Sequence, residues 1–124
     1  MDGTQPIRRE TLDRIRRKLL DRQRALFDDV EGLEADLQVL EEGREAELET
    51  RGQAEAMTRL LDRVRERDRH ELEEIYRALA KIPAGAYGLC ERCHEPIAVE
   101  RILAMPEVRY CLDCERALET ARPT

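Results

Sequence analysis

An all-α-dominated fold is predicted here: a long antiparallel coiled-coil hairpin joined to a small four-cysteine module that ends in a short C-terminal helix. Three observations point to it. Two stretches carry apolar residues at a 3–4 spacing, four cysteines fall into two CxxC pairs, and aromatic residues are scarce. Charged residues make up 40% of the 124-residue chain and aromatics 3%, with no Trp, too little bulky apolar material for a core of ordinary thickness. Charge runs such as Arg63 to Arg69 suit a solvated helix with i,i+4 pairing.

The first stripe passes through Leu12, Ile15, Leu19, Leu26, Val30, Leu33, Leu37 and Leu40, broken only at Arg22. The second passes through Ala54, Met57, Leu61, Val64, Leu72, Ile75, Leu79 and Ile82, with Asp68 as its polar member. Pro83, helped by Gly85, is expected to end that helix. Periodicity alone would also suit two dimerising helices. The registers decide for a hairpin: folding the chain back near residue 47 sets Leu40 against Ala54, Leu33 against Leu61, Leu19 against Ile75 and Leu12 against Ile82 in one unbroken series.

This predicts helices at about 6–42 and 53–82 with a tip at 43–52, so that residues 1–84 form the hairpin and 85–124 the cysteine module. A first helix of about 36 residues would be on the order of 50 Å long, a rod. Arg22 and Asp68 would occupy adjacent seam layers, where they could pair and fix the register, or snorkel outward. Glu45, Glu47 and Glu49, with Thr50, make an acidic tip, which could be functional or could only solvate a turn and cap a helix start.

Cys90 and Cys93 form one CxxC pair and Cys111 and Cys114 the other, with residues 94–110 between them. This is the spacing of a four-thiolate zinc site, and two such turns close a tetrahedron with no vacancy for substrate. One structural zinc ion is the expected cofactor; an iron or redox role for the same thiols is the weaker alternative. His94 reads as a surface residue or a support to the ligands, not a ligand. Zinc binding would help a segment with few apolar residues to fold, covered by Ile97, Val99, Ile102, Leu103, Met105 and Leu112. A terminal helix is expected over 115–121.

The net charge of −6 argues against direct DNA binding, which needs an excess of Lys and Arg. The basic N-terminal region has no continuous apolar run, so neither a signal peptide nor a membrane span is read, and a cytoplasmic location with reduced cysteines is expected. No serine, no phosphate-cradling glycine loop and a closed metal site speak against an enzyme.

Gly85 to Cys93, Glu95 to Ile97, Arg101 to Pro106 and Cys111 to Cys114 together resemble the zinc finger of the DksA/TraR family. The likeness covers roughly residues 65–120, and the hairpin before it agrees in architecture. It implies a monomeric regulator that binds bacterial RNA polymerase without binding DNA, passes its coiled-coil tip through the secondary channel toward the active site, and changes initiation, in some members as part of the stringent response. The family's tip pattern of two acids and an alanine falls on Glu47, Thr50 and Gly52, so one acid remains, with Glu45 and Glu49 as substitutes through a shifted bend. The basic positions that hold ppGpp in DksA-type members fall on Glu74, Met105 and Glu115, which implies a weak or absent ppGpp response. The competing reading is a zinc-stabilised coiled-coil adaptor for another protein.

Overall fold

A computed structural model describes residues 7–28, 30, 32–43 and 51–121. Among them the chain forms six helices: α1 (Arg9–Leu26), α2 (Glu34–Gly43), α3 (Arg51–Leu61), α4 (Glu66–Ala84), α5 (Val99–Ala104) and α6 (Leu112–Ala121). No strand occurs among the described residues, only one isolated bridge between Leu89 and Pro96.

The two long helices expected from the stripes are therefore each interrupted. The first break begins at Phe27, whose backbone N–H still bonds to Gln23 and Arg24, and includes Gly32, which adopts a left-handed φ of 70° that suits glycine and stops helix propagation. The second lies at residues 62–65 and ends where Arg65 turns extended to start α4. Glu66 and Asp68 in the first turn of α4, like Glu34 and Asp36 in α2, place negative charge at the positive end of the helix dipole. Pro83 does not stop α4, which runs to Ala84. Gly85, at φ 74°, ends it instead, with Ala86 N–H bonded to Lys81 O and Gly85 N–H to Ile82 O, the 6→1 and 5→2 pair of a Schellman turn.

α1 packs on α4 and α2 on α3. Across the first pair, Arg22 donates from Nε and Nη2 to Glu71 at 2.7 and 2.9 Å. Those hydrogen bonds hold the Glu71 carboxyl below its usual range, and Asp68 adds a smaller electrostatic pull on the guanidinium. The seam arginine thus engages a carboxylate one turn beyond the expected Asp68, which stands 3.8 Å from Arg67. Across the second pair, Arg59 donates to Asp36 at 2.6 Å.

The two pairs do not continue each other in line. Arg24 of α1 reaches Glu41 of α2 at 2.9 Å and Glu34 at 3.7 Å. Seventeen residues of continuous helix would separate Arg24 from Glu41 by about 25 Å, so α2 has doubled back along α1. Glu41 accordingly shares a shallow groove with Arg16, Arg17 and Leu20. Met57 and Leu61 of α3 likewise border a groove with Tyr76, Arg77 and Ala80 of α4. The result is four short helices in two layers.

Two apolar clusters sit in this arrangement. One joins Phe27, Leu33, Leu37, Leu40, Ala56, Met57, Leu60 and Leu72; Phe27 is fully buried, contributing about 1.5–3 kcal/mol by leaving water. The other joins Ile15, Leu19, Leu20, Ile75, Ala78 and Leu79 to Cys90, Ile97, Ile102 and Cys114, so the cysteine module is packed onto the open ends of α1 and α4.

Candidate metal centre

The local backbone brings the two CxxC pairs together. Leu89 pairs with Pro96, Cys90 N–H bonds to Glu95 O at 2.8 Å and His94 N–H to Cys90 O at 2.9 Å, which turns the first pair into a tight knuckle. Its tightness requires a left-handed residue, and His94 supplies it at φ 65°. Gly88, at φ 89°, lets Ile7 approach: a Cβ there would lie 3.0 Å from the Ile7 Cδ1. Glu91 N–H bonds to Arg109 O at 2.8 Å, which lays the approach to the second pair beside the first, and α6 begins at Leu112 so that Cys114 falls in its first turn.

The ligand atoms of Cys90, Cys93, Cys111 and Cys114 all lie within 4.8 Å of one another, and the Cys93 and Cys111 sulfurs are 3.9 Å apart. A tetrahedron with Zn–S bonds of 2.3 Å has edges of about 3.8 Å, so the four sulfurs fit one zinc ion. Backbone N–H groups of Arg92 and Cys93 point at the Cys90 sulfur at 3.4 and 3.5 Å, and that of Cys114 at the Cys111 sulfur at 3.4 Å; such donors stabilise thiolate. Burial opposes charge on Cys90, but the backbone donors outweigh it and bring its pKa down to about 6. Cys114 is pushed up to about 12: Arg92 favours its charge, but desolvation and the surrounding thiols prevail. Zinc, when bound, supplies the positive charge that lets all four sulfurs ionise together.

A charge network that sequence patterning did not single out joins this centre to α4. Arg109 donates to Glu91 and also reaches Glu74 at 3.3 Å. Lys81 hydrogen-bonds Glu91 as well, and His70 stands 3.5 Å from Glu74. The signal available was the alternation of sign among Glu74, Lys81, Glu91 and Arg109, which is invisible until the knuckle brings residues 91 and 109 together. Tyr87, its phenol kept protonated by burial, donates to Pro106 O at 2.7 Å and ties the two halves of the module.

Glu74, Met105 and Glu115 line one depression together with Arg101, Arg109 and Arg116. Of the cover residues expected over the metal, Ile97 and Ile102 are buried, whereas Val99, Leu103, Met105 and Leu112 are exposed. Glu45, Glu47, Glu49 and Thr50 lie outside the described residues.

Residues 85–119 match the model of the prokaryotic dksA/traR C4-type zinc finger. The chain is 35% identical over 113 residues to an uncharacterized protein of Aquifex aeolicus, covering 90% of this chain and 78% of that one. It is 33% identical over 124 residues to general stress protein 16O of Bacillus subtilis, covering 94% of this chain and 76% of the relative.

The chain belongs to the DksA/TraR family.

A further match within the DksA/TraR proteins is the RNA polymerase-binding transcription factor DksA of Caulobacter vibrioides, 32% identical over 74 residues, which covers 60% of this chain and 52% of that factor. The four-thiol cluster is thus the family's C4 zinc site, and zinc is its cofactor. Among the described residues no helix is long and apolar enough to cross a membrane.

Proposed function

We propose that this DksA/TraR protein is a non-enzymatic transcription regulator that binds bacterial RNA polymerase through its secondary channel, with the residues between α2 and α3 directed at the active site. The observation that carries the reading is the closed four-sulfur centre rooted in the bases of α1 and α4, since a site with every position filled by thiolate has none for substrate. Such a centre anchors helices and leaves function to residues elsewhere in the chain. DNA contact is not part of the proposal, because the net charge is −6.

The ppGpp response is proposed to be weak or absent. In the depression that holds Glu74, Met105 and Glu115, two of the three arginines are already engaged: Arg109 by Glu91 and Glu74, and Arg101 by the Tyr110 carbonyl and by Glu115 at 3.8 Å. A tetraanionic-class ligand would have to displace carboxylates to reach them.

The test is pull-down with bacterial RNA polymerase followed by in vitro transcription, comparing the native chain with Glu45, Glu47 and Glu49 replaced by Ala. Polymerase binding with a transcriptional effect that the triple variant loses is expected. No binding, or an effect indifferent to the three glutamates, would favour the adaptor reading, and tight ppGpp capture by the complex would overturn the second proposal.

A further inference from the structure

The apolar pattern of the sequence and the structure differ in the direction in which the α2–α3 pair points, and the difference is informative. The apolar stripes run without a change of spacing through both breaks: Leu26, Val30 and Leu33 on one strand of the hairpin, Leu61 and Val64 on the other. The breaks also lie side by side, since a Cβ on Gly32 would stand 3.5 Å from the Arg63 guanidinium. Neither residues 27–33 nor residues 62–65 contain proline, so nothing in them forbids continuous helix.

The seam pairings are the same whether the helices are folded back or in line. α2 and α3 keep their Asp36–Arg59 pair and α1 and α4 their Arg22–Glu71 pair in either state. What belongs to the folded-back state alone is the contact between layers, and it contains an imperfection. Arg24 spans Glu41 and Glu34 at an exposed edge, whereas Gln23, between Leu20 and Phe27 on the buried face, has both amide atoms buried without a partner among the described residues. An unpartnered buried amide opposes the folded-back state and is relieved by water on opening, while burial of Phe27 favours closure.

We propose that the α2–α3 pair is an arm that swings as one unit about Gly32 and residues 62–65, between the folded-back bundle and an in-line rod, with Arg24–Glu41 as its latch and Gln23 as the built-in bias toward opening. Two packings of one sequence that share their seams differ by only the contacts between layers, which is the condition for a two-state element. The swing stands by its own geometry; its role as the step that extends the tip rests on the polymerase reading above.

The test uses the zinc-loaded full chain with spin labels on genetically encoded residues at exposed positions Asp13 and Val39. In line, 26 residues of helix put these sites on the order of 40 Å apart; folded back, they are much closer. Pulsed electron resonance of the native chain is expected to show a dominant short distance with a minor long one. Arg24→Glu should raise the long fraction at least threefold, Arg24→Glu with Glu41→Arg should restore it, and Gln23→Leu should lower it. Should Arg24→Glu lose helicity, Glu41→Gln removes the same latch without reversing a charge and decides in its place. Unmoved distances in a chain with native helicity and zinc content would overturn the swing. So would a long distance that grows with protein concentration, because that is exchange of arms between two copies. Distances that respond while transcription does not would leave the swing standing and sink the polymerase reading alone.

Discussion

Arg109 grips Glu91 at two points, Nε at 3.0 Å and Nη2 at 2.9 Å, and so clamps the segment before the second CxxC pair to the residue that follows the first zinc ligand. Because Lys81 of α4 holds the same carboxylate, the clamp also seats the module on the helix. Glu91→Ala removes the acceptor and leaves Arg109 and Lys81 facing each other at a part-buried site. A loss of about 1–3 kcal/mol is expected, read as a lower urea midpoint together with faster amide exchange in α5 and α6 than in α2 and α3.

Glu71 gives a pH dependence that does not involve the metal ligands. Arg22 depresses its folded pKa, so its stabilising contribution is complete above the ordinary glutamate value of about 4.3 and is lost as pH falls through the lower folded value. The pair is largely exposed, which limits its worth to roughly 0–1 kcal/mol. Glu71→Gln should therefore be slightly less stable than the native chain at pH 7, and the difference between the two urea midpoints should close in the acid range. A difference that widens there contradicts the assignment.

Zinc loading should follow the four sulfurs and no other donor. One zinc per chain is expected by elemental analysis. Cys114→Ser should lose it and melt the module first, whereas His94→Asn should keep it, because asparagine tolerates the left-handed backbone at that position. His94→Val should retain the ligands but cost about 1–2 kcal/mol through its β-branched side chain at positive φ.

Phe27 measures the layered arrangement itself. It is fully buried among residues of α2, α3 and α4, which an in-line rod would not permit. Phe27→Ala should cost about 3–5 kcal/mol if this packing dominates in solution, as judged by thermal or urea unfolding. A cost below about 1 kcal/mol would show that the layers are mostly apart.

The seam of each helix pair was legible because one face of a helix has a simple period: Ile15, Leu19, Ile75 and Leu79 read directly as a stripe. The folding back was less legible, since it depends on a second face that a heptad reading discards. Leu20 and Gln23 on α1 with Phe27 just past its end, and Gln53, Ala56 and Leu60 on α3, form that face, and all six are buried. A stripe of this kind beside the first is the mark of a helix covered on two sides, and here the glutamines disguised it. At the metal the ligands were readable from spacing alone, while the partners of Glu91 were not, because residues 81, 91 and 109 become neighbours only after the knuckle has formed. Gly32 was passed over for a comparable reason: a lone glycine in a helical pattern is tolerated as often as it breaks one.

Two of the metal-binding sulfurs, those of Cys90 and Cys114, lie in the same core as Ile15 and Leu19. On the ribosome, then, α4 can cover part of the inner face of α1 as it emerges, but the cover that Cys90 and Cys114 add must wait until Cys114 has been made and the ion taken up. For that interval α1 is the part of the nascent protein most in need of shelter from aggregation, and shortage of the metal would show itself first as loss of newly made chains, not as loss of old ones.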